Sequence, residues 1–123
     1  MEADVRGRAV LLALLTAACS DKSGGAREIA GADPARGLEI ARKVGCAACH
    51  ETPAVAWPRG AAGPSLDGFG GSPLIAGRFP NQPDNLVRWV RVAPSMAPDT
   101  GMPAAPITEA EARDVAAWLY TLQ

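Results

Sequence analysis

His50 is the sole histidine of the chain, and it directly follows the second cysteine of Cys46-Ala47-Ala48-Cys49. A Cys-x-x-Cys-His run is the attachment site of a c-type haem. Each thiol adds to a vinyl group of the porphyrin edge as a thioether. The two intervening residues turn the backbone so that both sulfurs face that edge, and the next residue places an imidazole under the iron. Two other readings compete for a bare Cys-x-x-Cys. A thioredoxin-like redox pair expects a βαβ setting, and the flanks carry no such pattern. Half of a zinc site needs a second ligand pair, and neither a second cysteine pair nor another histidine remains.

The chain of 123 residues is enough for one small domain. Its hydrophobic fraction is 48%, yet aromatic residues make up only 5%, so alanine supplies much of the apolar content. A small alanine-rich core gains little from burial, and a large apolar porphyrin would add the missing contact surface. A net charge of −1 provides no basic field for nucleic acid. No apolar window is long enough to span a bilayer.

The N-terminus reads as an export signal over residues 1–18. Arg6 and Arg8 precede the apolar run Ala9–Leu15, and small residues follow. Leu15-Thr16-Ala17-Ala18-Cys19 resembles the lipobox of bacterial lipoproteins, with Thr16 where leucine is usual. On that reading Cys19 carries acyl chains, several of which together give stable anchoring. An ordinary signal peptide with Cys19 near its cut is the competing reading. Lipid on Cys19 and haem on Cys46 and Cys49 would leave no unpaired thiol in an oxidising compartment. Residues 19–32, polar and rich in glycine at the start, form the expected lipid-anchored flexible tether.

The folded domain is expected over 33–123. Asp33-Pro34 supplies a helix cap and a proline at the first helical position, opening a helix to Val44 that runs directly into the motif. Gly37 lies inside it, which a close helix crossing would justify. Eleven of the thirty residues from Glu51 to Pro80 are Gly or Pro. That stretch predicts loops, with Trp57, Leu66, Phe69, Leu74, Ile75 and Phe79 as candidate cavity lining and no sheet. A second helix is expected from Pro83 to Ala93, stopped by Pro94, with Leu86, Trp89, Val90 and Ala93 on its apolar stripe. A third runs from Thr108 to Leu122, with Thr108 and Glu111 as a capping box. It is expected to touch the first helix near Gly37 and Ala116. Between the last two helices, a proline-rich loop presents Met96 and Met102.

Cys46-Ala47-Ala48-Cys49-His50, Gly63-Pro64-Ser65-Leu66, Asn85-Leu86-Val87-Arg88-Trp89-Val90, Gly101-Met102-Pro103 and the closing Ala117-Trp118-Leu119-Tyr120 occur in that order. The chain resembles a class I monohaem cytochrome c over about residues 33–123. From Asn81 onward it is similar to the cytochrome c domains of bacterial respiratory oxidase systems. The resemblance implies an all-α fold, three main helices and loops wrapped around one covalent haem c. It implies Cys46 and Cys49 as attachment residues and His50 and Met102 as iron ligands. Pro64 and Trp89 would complete the haem-binding set, the Pro64 carbonyl accepting a hydrogen bond from the ligand histidine. Met102, between Gly101 and Pro103, is preferred to Met96.

Two features depart from the family pattern. Ile40-Ala41 replaces the aromatic often found on the first helix, and Trp118 is expected to fill that space. Gly70-Gly71-Ser72-Pro73 lacks the usual arginine, leaving Arg78 as the candidate partner of a haem propionate.

The implied function is one-electron transfer, not catalysis of a substrate reaction. Two other roles stay open: a c-haem subunit fixed within a larger oxidoreductase, and a haem sensor or peroxidase-like protein with a displaceable methionine. The implied partners are redox proteins such as a terminal oxidase, a cytochrome bc-type complex or a dehydrogenase. A lipid anchor would hold a monomer at the periplasmic side of a bacterial membrane.

Overall fold

The computed structural model describes residues 27–123. The expected signal peptide, Cys19 and the first part of the expected tether lie outside the described residues. Three helices carry the fold: α1 (Pro34–Val44), α2 (Pro83–Met96) and α3 (Glu109–Leu119). Between α1 and α2 come two tight helical turns, Cys46–Ala48 and Phe69–Gly71, and a hairpin of β1 (Leu74–Ile75) and β2 (Phe79–Pro80).

Local chemistry sets the helix ends. The Asp33 side chain accepts hydrogen bonds from the N–H groups of Ala35 and Arg36, and Pro34 occupies the first turn. Gly45 ends α1 with a left-handed φ of 89°, which glycine adopts without penalty. The Thr108–Glu111 capping box opens α3. α3 closes at Leu119, three residues before the expected end, and Tyr120 and Thr121 continue as a turn.

α2 differs from expectation in passing Pro94. Val92 leaves helical geometry at φ −141° and ψ 44°, and one further turn runs on to Met96. Proline lacks an N–H and its ring crowds the carbonyl four residues earlier, so the helix kinks beside it instead of stopping. The Arg91 carbonyl, next to the kink, accepts from Ala105 N–H at 3.0 Å.

The expectation of no sheet is corrected by the small hairpin. Leu74 pairs with Pro80 and Ile75 with Phe79. Ala76 and Gly77 both take positive φ values, 50° and 67°, the handedness that suits a tight hairpin. The fold remains all-α in its framework.

The core is the layer where α1 and α2 both pack on α3. Leu86, Val90 and Ala93 of α2 share one buried cluster with Val115, Leu119 and the wholly buried Ala112 and Ala116 of α3. Ala41 is buried on α1, with Leu38 and Ile40 half-buried beside it. Trp118 is buried in the same cluster.

The α1–α3 contact is the closest. A Cβ at Gly37 would be driven into the Asp114 carbonyl and against the Val115 nitrogen. The crossing point is therefore Asp114–Val115, one short step from the expected Ala116.

Asp114 is only 2% exposed, and both its oxygens are used. Oδ1 accepts from Asp33 N–H at 2.8 Å, and Oδ2 accepts from Arg36 Nε at 2.6 Å. The hydrogen-bonded Arg36 guanidinium holds the Asp114 carboxyl below its ordinary range despite burial, with further help from Asp33 N–H and Arg113.

The fold begins earlier than residue 33. Ile29 is 7% exposed and belongs to the core. Arg27 Nη1 donates to Gly70 O at 2.7 Å, and Arg113 Nη2 donates to Ala30 O at 3.1 Å. Residues 27–32 are thus packed on the domain, because one isoleucine and two arginines fasten them.

Two outcomes follow. Gly37→Ala should destabilise the domain by about 1–3 kcal/mol, the cost of overpacking a close crossing, read as a lowered thermal midpoint. Asp114 has a folded pKa depressed below its unfolded value, so its contribution is present above about pH 4 and lost as pH falls through the folded value. Denaturant titrations across acidic pH should show Asp114→Asn less stable at neutral pH and with a shallower acid loss than the parent chain.

Candidate functional site

α1 ends at Gly45, and the chain turns at once through Cys46–Ala48 into Cys49 and His50. The turn is closed by Ala48 N–H to Gly45 O at 2.9 Å and His50 N–H to Cys46 O at 3.0 Å. Cys46 is half-buried against the core and Cys49 is exposed, with no disulfide between them. Burial pushes the Cys46 thiol up, and the neighbouring Cys49 adds to the shift. A thioredoxin-like nucleophile needs the opposite displacement, and the motif sits between a helix and a loop instead of in a βαβ unit. Among the described residues no cluster of three metal-binding side chains accompanies it.

A loop from Glu51 to Ser65 folds back on this turn. Gly60 N–H donates to Ala47 O at 2.9 Å, Gly63 N–H to Cys49 O at 2.7 Å, and Leu66 N–H to Glu51 O at 2.9 Å. Two glycines make the approach possible. A Cβ at Gly60 would meet the Ala48 carbonyl, and one at Gly63 would press on the His50 ring at 2.5 Å from Cε1.

His50 Nδ1 lies 2.7 Å from the Pro64 carbonyl. That acceptor fixes Nδ1 as the protonated nitrogen and leaves Nε2 with its lone pair, the tautomer and ring orientation that a metal-bound histidine requires. The residues present therefore fit a c-type haem: a thiol pair on one turn, an oriented imidazole, and a glycine cradle against its ring.

The other candidate residues come from the α2 side. Trp89 is 8% exposed, with its ring centroid 5.7 Å from that of Phe79 at 45°. Met102 is half-buried against the core, in a turn where its N–H donates to Thr100 Oγ1 at 3.1 Å. Met96 occupies the last turn of α2, also half-buried. Arg78 makes two hydrogen bonds to Asp99, at 2.7 and 2.6 Å, and they hold the Asp99 carboxyl down to about 2. This pair ties the hairpin to the methionine loop, and it occupies the side chain considered for a propionate.

Of the expected cavity lining, Leu66 and Ile75 are buried, while Phe69 and Phe79 are half-buried. Trp57 and Leu74 are exposed. Sequence reasoning missed Gly60, whose role depends on the loop folding back, and Asp114, an acid adjoining the apolar stripe of α3.

The cytochrome c family profile matches residues 34–123. A curated relative, cytochrome c oxidase subunit 2 of Alkalihalophilus pseudofirmus, is 33% identical over 89 residues, covering 72% of this chain and 25% of the relative. The chain thus spans about a quarter of that relative's length. The family carries electrons on haem iron, and the match takes in α1, the Cys-x-x-Cys-His turn, the methionine loop and α3. The chain belongs to the cytochrome c family, as a class I cytochrome c.

Proposed function

We propose that this chain is a monohaem electron carrier exported by a bacterium and tethered at the periplasmic side of its membrane. Cys46 and Cys49 would hold one haem c as thioethers, and His50 and Met102 would ligate its iron. The observation that carries this reading is the 2.7 Å contact from His50 Nδ1 to the Pro64 carbonyl, which keeps Nε2 free for a metal. Trp89, buried and packed against Phe79, belongs to the same assigned haem-binding set. Haem, once bound, supplies one-electron exchange between ferrous and ferric iron. A methionine ligand favours the ferrous state, raising the potential. With His50 and Met102 both assigned to the iron, the chain would carry electrons and transform no substrate.

Lipid on Cys19 provides the anchor. A terminal oxidase is the preferred partner among the candidates, because the curated relative is an oxidase subunit. The same relationship favours a second reading, in which the chain is a fixed c-haem subunit of an oxidoreductase complex.

Met102→Ala should remove the sulfur-to-ferric-iron charge-transfer band, lower the potential and let the reduced protein bind carbon monoxide. Met96→Ala should leave all three nearly unchanged, and the reverse pattern would make Met96 the ligand. Detergent phase partitioning reads the anchor. Cys19→Ser should move the holoprotein from the detergent to the aqueous phase, and a variant that stays membrane-bound would exclude lipid on Cys19.

A further inference from the structure

Residues 97–108, between α2 and α3, form neither helix nor strand, and Met102 lies in the middle of them. A methionine side chain is flexible, so the place of its sulfur depends on what holds the backbone around it. Within the loop, Thr100 N–H donates to Ala97 O at 3.0 Å and Met102 N–H to Thr100 Oγ1 at 3.1 Å. Apart from the helix caps at its two ends, two hydrogen-bonded ties reach the loop from outside it, among the described residues. After Met102, Ala105 N–H donates to Arg91 O at 3.0 Å, beside the kink of α2. Before Met102, Arg78 Nη1 and Nη2 donate to Asp99 Oδ1 and Oδ2 at 2.7 and 2.6 Å.

The Arg78 tie is two-pronged. A guanidinium that gives parallel bonds to both oxygens of one carboxylate fixes the direction of its partner as well as the distance. Its own base is fastened. Arg78 N–H donates to Ile75 O at 3.0 Å, and Ile75 is 1% exposed. The neighbouring Phe79 lies against Trp89 of α2, and buried Asn81 closes the foot of the hairpin by donating from Nδ2 to Ser72 O at 2.9 Å. The hairpin thus takes its position from α2 and the core and hands it to Asp99, three residues before Met102. Met96 has no such need, since it lies within the last turn of α2.

We propose that Arg78 is a positioning residue for the iron ligand, acting through Asp99 to hold the loop in the conformation in which Met102 would serve the iron. The inference rests on the assignment of Met102 as a ligand. A direct action of the guanidinium on haem, by its charge or by a bond to a propionate, predicts a different pattern. Through the clamp, loss of either partner frees the same loop. Through charge at the iron, loss of a cation and loss of an anion act in opposite directions.

The test titrates ferric holoprotein with imidazole, which competes with methionine for the iron, and follows the loss of the sulfur-to-ferric-iron charge-transfer band. Arg78→Ala and Asp99→Ser should each raise the apparent imidazole affinity, by about two- to fivefold. The double variant should gain no more than the larger single effect, as expected of two residues acting as one unit. In the Met102→Ala background, where no methionine competes, Arg78→Ala should leave the imidazole affinity, read from the Soret band, unchanged. No effect of Arg78→Ala, opposite shifts from the two single variants, or additive effects in the double variant would overturn the proposal. An Arg78→Ala effect that survives in the Met102→Ala background would assign the guanidinium to the haem itself and also overturn it. A charge-transfer band that survives Met102→Ala would defeat the ligand assignment, and the clamp with it.

Discussion

The close crossing of α1 and α3 is the contact on which the rest depends. The two backbones meet at Gly37 and Asp114, with no room for a side chain between them. The same Asp114 receives a backbone N–H and a guanidinium from the start of α1. Removing Arg36 would leave the buried Asp114 carboxylate without its cation, so the crossing fixes register as well as distance. Because α1 runs straight into the Cys-x-x-Cys-His turn, fixing α1 on α3 also fixes where that turn sits.

From there the site is assembled by backbone. Most bonds that hold the Glu51–Ser65 loop against the motif join main-chain groups, and two glycines let them form. His50 gains its orientation from the Pro64 carbonyl, at the far end of the same loop. The methionine loop is positioned from another direction, by the kink of α2 and by the Arg78–Asp99 pair. That exposed pair adds little to stability, yet it links the hairpin to the loop that bears Met102.

The parts legible in the sequence are those with local causes. Asp33-Pro34 and the Thr108–Glu111 box each open a helix through nearest neighbours, and each stands where expected. The pentapeptide of the motif is equally local. The rest depends on contacts between distant residues. Asp114 is an ordinary acid until Arg36 and Asp33 come beside it. The packing of residues 27–32 needs Gly70 and Arg113, far along the chain. Trp57 reads as cavity lining from composition alone, and only the folded loop turns it outward. The hairpin escaped notice because two-residue strands carry no periodicity to detect.

The central claim is covalent haem on the turn between α1 and the Glu51–Ser65 loop, and peptide-mapping mass spectrometry of the membrane-extracted protein tests it most directly. The account predicts that, after acid–acetone treatment, one haem mass remains on the peptide that contains both Cys46 and Cys49. Recovery of that peptide with two free or disulfide-bonded thiols, and haem in the acetone phase, would contradict it.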